Sequence, residues 1–260
     1  MSKLTDARLE EYIAAVDDAL NKYLPVREIP QKRLLDAMRY SLFTGGKRLR
    51  PVMLLEFCRM CGGVWTDALP FACALEMIHT YSLIHDDLPC MDNDDTRRGK
   101  PASHIVYGEA TALLAGSALL SAAFEVMLGS NAPGAFEAAR IIASASGLDG
   151  IAGGQELDLR REGEESVIHR FKTAAIFIAA SEAGCILAGA EDKRAVAVDF
   201  GLRFGLGFQY ADDYADSGGI HAHRINAELC FEEALLCLES FPDHTLIASL
   251  IASLRKGVAA

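Results

Sequence analysis

Apolar side chains recur along this chain at intervals of three and four, the spacing that lines one face of an α-helix. Leu9, Ile13, Val16, Leu20 and Leu24 open the series and predict an amphipathic first helix, with Pro25 and Pro30 bracketing its exit. A second helix is expected over 31–43, on Leu34, Leu35 and Met38, and Gly45-Gly46 stops it. Pro51 suits the first turn of a third, which Gly62-Gly63 closes. A fourth runs from about Asp67 into a cluster of aspartates, where Pro89 breaks or kinks it. Further helices are expected at about 108–128, 134–146, 150–159, 165–172, 173–190, 192–216, 226–239 and 243–256. No sustained strand-like alternation occurs, and no short repeat or low-complexity linker. The pattern predicts one all-α domain over residues 1–260.

Composition narrows this picture. With 260 residues and 51% hydrophobic content, the chain can bury a sizeable core. A net charge of -11 argues against a nucleic-acid partner and against a basic membrane-surface patch. Seven cysteines, an odd number without disulfide-framework spacing, read as reduced thiols of a cytoplasmic protein. Cys58 and Cys61 form a CxxC, but no second pair stands at zinc-ribbon spacing. The opening MSKLTDARLEEY does not read as a secretory signal. The apolar stretches 110–128 and 173–190 carry Glu125 and Glu182 and many small residues, so they are expected as buried core helices and not membrane spans.

The chemistry concentrates between Glu76 and Glu109. An apolar run there delivers Asp86, Asp87, Asp92, Asp94 and Asp95 together, followed at once by Arg97, Arg98 and Lys100. Carboxylates this dense repel one another unless a cation sits among them, and oxygen-only donors suit a hard ion such as Mg²⁺ that shares its shell with phosphates. The arginines behind are forked donors matched to phosphate oxygens. A solvated acidic loop would account for the charges, but not for their interrupting an apolar helix. Gly45-Gly46-Lys47-Arg48-Leu49-Arg50-Pro51 places three cations in a glycine-hinged turn leading into a helix, a favourable seat for an anion. His79, two helical turns before Asp86, can share the aspartates' face. A second acidic set, Asp212, Asp213 and Asp216, lies in FQYADDYAD; Asp212 and Asp216 stand at i,i+4 on an otherwise apolar helix, as a second metal-binding edge would. Gln155 and Asp158 in GGQELDL, and Lys172 and Thr173, are weaker candidates for the same cavity.

GGKRLRP, SLIHDDLPCMDNDDTRRGKP, GGQELDL, the Lys172-Thr173 pair and FQYADDYAD stand in the order found in trans-isoprenyl diphosphate synthases, and the chain resembles that polyprenyl synthetase family to about Asp216. The resemblance implies an isoprenoid-synthase-type helical bundle around a central cavity, the two aspartate motifs facing across it, and a homodimer. It implies that Asp86, Asp87 and Asp92, with Asp212 and Asp216, hold Mg²⁺ against an allylic diphosphate, either dimethylallyl or geranyl. Arg97, Lys172, Thr173 and Gln209 would contact that substrate. Lys47, Arg50, His79 and Arg98 would hold the diphosphate of isopentenyl diphosphate. Of these, Asp86, Asp87, Asp92, Lys172 and Asp212 would be the catalytic set.

The resemblance lapses after the second motif. Family members continue with a glycine-lysine loop and a further lysine-containing segment that closes over the site. This chain runs Ser217-Gly218-Gly219-Ile220-His221 into a terminal helix, and no lysine occurs between Asp216 and Lys256. An apparent deletion there leaves open a non-catalytic or impaired homologue. A terpene cyclase is disfavoured, because it would carry an Asn/Asp-Ser/Thr-Glu triad and lack GGKRLRP. Tyr81, five residues before Asp86 and about 7.5 Å lower on a helix, is expected to floor the hydrocarbon channel. That points to farnesyl diphosphate as product. The small Ser82 beside it leaves geranylgeranyl diphosphate open.

Overall fold

The computed structural model describes residues 3–259; residues 1 and 2, expected to be helical with those that follow, lie outside it. The expected helices are found, with boundaries moved by a few residues. They are α1 (Lys3–Tyr23), α2 (Lys32–Leu42), α3 (Leu49–Met60), α4 (Leu69–Asp86), α5 (Ser103–Tyr107), α6 (Glu109–Leu128), α7 (Ala135–Ser146), α8 (Ile151–Arg160), α9 (Glu165–His169), α10 (Ala175–Leu187), α11 (Arg194–Asp216), α12 (His221–Leu238) and α13 (Thr245–Ala259). The all-α reading holds, apart from one two-stranded ribbon of Thr96–Arg97 and Lys100–Pro101.

Three local features escaped periodicity. The segment expected as two helices meeting at Lys172 and Thr173 is one run, in which Arg170–Ala174 form a π-turn between α9 and α10. Helix α12 starts at His221, five residues earlier than expected, directly after the Ser217–Ile220 link. The short α5 was hidden between the aspartate loop and α6.

Helix α10 is the pillar of the bundle. Eleven of its thirteen residues are buried, and α3, α7 and α11 pack around it. Phe57, Phe177, Phe200 and Phe204 pack ring against ring where these helices meet. On the other side α4 is clasped by α6, α3 and α1. The expectation for α6 needs correction: only six of its twenty residues are buried, on the stripe facing α4, while Leu113 and Leu114 are 49% and 58% exposed. Its apolar content therefore serves two faces, and only the inner one is covered within the chain. Among the described residues, α6 alone is long and apolar enough to cross a membrane.

Two buried acids tie the frame together. Glu56, fully buried on α3, accepts from the Tyr12 hydroxyl at 2.9 Å, from Arg59, and from Arg8 at 3.0 Å. Arg8 and Arg59 also reach Asp243, just ahead of α13. Glu76, on α4, receives Arg48 Nη1 at 2.6 Å. Each buried charge thus has a partner, without which it would be strongly destabilising.

Candidate active site

Helix α4 ends with the first two aspartates, and the chain then folds back on them. The amide of Asp92 donates to the Asp86 carbonyl at 2.9 Å, which returns Asp92 to the level of Asp86. The ribbon follows, turning through Arg98 and Gly99, both at positive φ (54° and 74°), as a two-residue type I′ hairpin requires. This turn aims Arg97 back at the aspartates: its Nε donates to Asp87 Oδ1 at 2.9 Å and its Nη2 to Asp94 Oδ2 at 3.0 Å. Asp87 and Asp94 are therefore engaged by Arg97, while Asp86 and Asp92 keep no such partner. Burial pushes Asp86 up to about 6, Lys172 draws it down, and Asp92 raises it further. A half-buried carboxylate that resists ionisation beside other carboxylates is short of positive charge. The all-oxygen donor set fits a hard divalent cation.

The basic turn divides its cations. Arg48, in the left-handed region at φ 49°, points inward, pairs with Glu76 and Asp17, and donates to the Leu42 carbonyl. It anchors the turn. Lys47 and Arg50 point instead into a cleft of about 500 Å³, which His79, Arg98 and Phe208 also line. Arg98 donates to the Gly45 carbonyl beside Gly46, whose φ of 134° is a conformation that glycine adopts readily. Arg50 lies over the Phe177 ring, 4.6 Å from its centroid, and 3.3 Å from His79 Nε2. Its buried Nε has no hydrogen-bond partner. Burial lowers Arg50 to about 10, against Glu76 and Asp212; burial and four nearby arginines drive His79 well below its ordinary range. The four residues expected at one diphosphate are thus brought together around one cleft, whose cationic donors suit an anion.

A second cleft, of about 740 Å³, lies between α8, the π-turn and the end of α11. Lys172, Gln209, Asp213 and Asp216 line it. Lys172 Nζ meets Asp158 at 2.5 Å, the Thr173 hydroxyl donates to Gln209 Oε1 at 2.6 Å, and Gln209 Nε2 donates to Asp213 Oδ1 at 2.9 Å. This chain of bonds couples the π-turn to α11. Asp212, one residue before Asp213, lies close enough to Lys47 and Arg50 of the basic cleft to feel their charge. It is pushed up to about 6 by the protein around it and then by Asp216 and Asp213, against Lys47 and Arg50, although its side chain stays open to solvent. Asp216 is exposed at the rim.

Asp158, one of the weaker candidates, lines the second cleft and pairs with Lys172, whereas Gln155 is buried and its Nε2 has no partner among the described residues. Sequence reading passed over Glu165 and His169, which line the second cleft; their i,i+4 spacing was the available signal. Tyr81 is buried below the first aspartates. Its hydroxyl donates to the Ser146 carbonyl at 2.9 Å, bracing the ring between α4 and α7. A basic cleft, a second cleft edged by Asp158, Asp213, Asp216 and Lys172, and an aromatic below the first aspartates are suited to binding phosphorylated apolar molecules.

Comparison with known proteins agrees with this geometry. The chain is 45% identical over 217 residues to the large subunit 1 of a chloroplastic heterodimeric geranylgeranyl pyrophosphate synthase of Arabidopsis thaliana, covering 77% of this chain and 58% of that protein. It is 44% identical over 223 residues to farnesyl diphosphate synthase of Geobacillus stearothermophilus, covering 81% and 75%. The chain spans about three fifths of the length of the first curated relatives it matches, 58% and 61%. The apo crystal structure of an FPP/GFPP synthase from Zymomonas mobilis superposes with a TM-score of 0.88 at 34% identity, over 100% of both chains. The polyprenyl synthetase family profile matches residues 31–223, which with the ordered motifs and the shared fold places this chain in the polyprenyl synthetase family.

Proposed function

We propose that the chain is a Mg²⁺-dependent short-chain trans-prenyltransferase, a cytoplasmic homodimer that condenses isopentenyl diphosphate with dimethylallyl or geranyl diphosphate to give farnesyl diphosphate. The observation that carries this reading is Arg50, a half-buried guanidinium whose buried Nε has no hydrogen-bond partner among the described residues, beside the His79 imidazole, whose protonation burial and the nearby arginines disfavour. Such a set is complete only with a polyanion, and a diphosphate supplies acceptors for every donor in it. On this reading Lys47, Arg50, His79 and Arg98 hold the diphosphate of isopentenyl diphosphate. Lys172, Thr173, Gln209 and Arg97 orient the allylic diphosphate. Asp86, Asp87, Asp92, Asp212 and Asp216 are the residues that hold Mg²⁺. Bound Mg²⁺ supplies the positive charge that favours departure of the allylic diphosphate. Arg97 and Lys172 add cationic donors near Asp86, and Phe208 is an apolar wall of the basic cleft that would keep water from the reacting carbons.

Relatives carry both farnesyl and geranylgeranyl names. The braced ring of Tyr81 favours the shorter product, since a longer tail would overlap packed atoms. A weakened enzyme is the second reading, and the observation that favours it is the four-residue link from α11 to α12. The link leaves the second cleft without a lysine from that side, and Arg224, 3.5 Å from His221 Nδ1, is the nearby cation.

Radiolabelled isopentenyl diphosphate with an allylic primer, with and without Mg²⁺, tests the proposal. Mg²⁺-dependent incorporation is expected, and Asp86→Ala or Asp212→Ala should lower it by at least about 100-fold with the helical fold intact. Incorporation by the parent that is indifferent to Mg²⁺, or near-parent turnover in either variant, would refute the assignment.

A further inference from the structure

The second cleft holds a cluster that the prenyl-transfer reading does not use. Glu165 and His169 stand at i,i+4 on α9, and Asp213 faces them from α11; one ligand atom from each falls within 4.8 Å of the other two. His169 Nε2 lies 3.2 Å from Asp213 Oδ2, yet that oxygen is buried and forms no hydrogen bond among the described residues. His169 itself is only 8% exposed, and its Nδ1 also has no partner among the described residues. A histidine and an aspartate this close would normally share a proton in a hydrogen bond. Two donors on a tetrahedral ion at about 2.0–2.1 Å would stand about 3.3 Å apart, so the spacing suits a shared cation equally well.

The surroundings hold each group in place, as outer partners of metal ligands do. Gln209 Nε2 donates to the other oxygen of Asp213 at 2.9 Å. His223 Nε2 stands 3.3 Å from Glu165 Oε1. The Tyr210 ring meets the His169 imidazole edge to face, with centroids 5.0 Å apart. Successive residues on a helix point about 100° apart, so Asp213 meets this cluster while Asp212 points away from it, within range of the charges of Lys47 and Arg50. The cluster is therefore a separate donor set from the aspartates assigned to Mg²⁺, and its chemistry differs from theirs. One imidazole nitrogen with two carboxylates suits a borderline ion such as Zn²⁺, whereas Mg²⁺ takes oxygen donors.

We propose that Glu165, His169 and Asp213 form a binding site for a Zn²⁺-class divalent ion, with His223 orienting Glu165. Such an ion clamps α9 to α11 next to the π-turn. Through Gln209 it fixes the Thr173 hydroxyl on the wall of the second cleft.

Chelator-treated protein titrated with Co²⁺ in an excess of Mg²⁺ tests this without recourse to activity. One equivalent should bind, with the visible absorption of four-coordinate Co²⁺, and Zn²⁺ should displace it. Glu165→Gln alters an exposed side chain and threatens no packing; it and His169→Gln should each weaken binding by more than about 10-fold, and His223→Gln by about 10-fold. Asp86→Asn should leave binding unchanged. Binding that survives Glu165→Gln but is lost in Asp86→Asn would move the ion to the aspartates and overturn the proposal. Absence of any Co²⁺ band would reduce the cluster to an ordinary charge pair and overturn it equally.

Discussion

At the scale of single residues, the site is defined by groups held away from their preferred state. Folding raises Asp86 from 3.8 to about 6, chiefly by burial. A carboxylate with a raised folded-state value destabilises the fold where it is ionised, so the penalty is full above about pH 6 and vanishes below the ordinary value. Asp86→Asn should therefore raise the metal-free melting temperature at pH 7.5, by the equivalent of about 1–3 kcal/mol, and change it little at pH 4. Thermal denaturation of parent and variant at both values checks this; an equal gain at both would show that charge is not the cause. Tyr81 is the other informative residue. Tyr81→Ala removes the braced ring and should lengthen the prenyl product, whereas Tyr81→Phe removes only the bond to Ser146 and should leave most product unchanged. Chromatography of the released prenyl alcohols reads both, and unchanged length in the alanine variant would place the channel floor elsewhere.

At the scale of elements, the π-turn is the piece on which the second cleft depends. It inserts a residue into an otherwise continuous helix and so redirects Lys172 and Thr173. Gly154 on α8 makes room for it: a Cβ there would come within 2.6 Å of Lys172 Cα and 2.7 Å of the Phe171 carbonyl carbon. Gly154→Ala should push the turn out, costing about 1–3 kcal/mol of stability, and raise KM for the allylic substrate more than for isopentenyl diphosphate. Steady-state kinetics with each substrate varied in turn decides it, and an equal rise for both would reject the link. Helices were legible in the sequence because period alone sets them, and Asp86, Lys47 and Asp212 were legible because dense charge in apolar surroundings has few bland explanations. The π-turn was not, since it depends on a glycine 18 residues away from Lys172 in sequence. Nor was Arg48, which looks like its two cationic neighbours in the motif on paper; only a left-handed backbone turn sends it to Glu76 while Lys47 and Arg50 face the cleft. The hairpin escaped because two paired residues per strand carry no alternation.

For the whole molecule, the open question of the outer face of α6 bears on assembly. Ile105, Val106, Leu113 and Leu114 are 52%, 44%, 49% and 58% exposed on α5 and α6, which pack against each other, so apolar side chains are offered to solvent on this side of the bundle. The proposed homodimer would cover it, so Leu114→Glu should convert a species of twice 28.0 kDa into one of 28.0 kDa in sedimentation. A parent that sediments as a monomer would remove the proposal. Composition could not have revealed this face, because the same apolar letters serve α4 inside and the exterior alike. The Glu56 network has a different consequence, one in time. Arg8 bonds to Asp243 across 235 residues of chain. During synthesis at about 5–20 residues per second, roughly ten to fifty seconds separate the emergence of these two partners. Once Glu56 has emerged α1 can reach it, but not yet the turn before α13, so the strut from Arg8 to Asp243 is the later of the two to close.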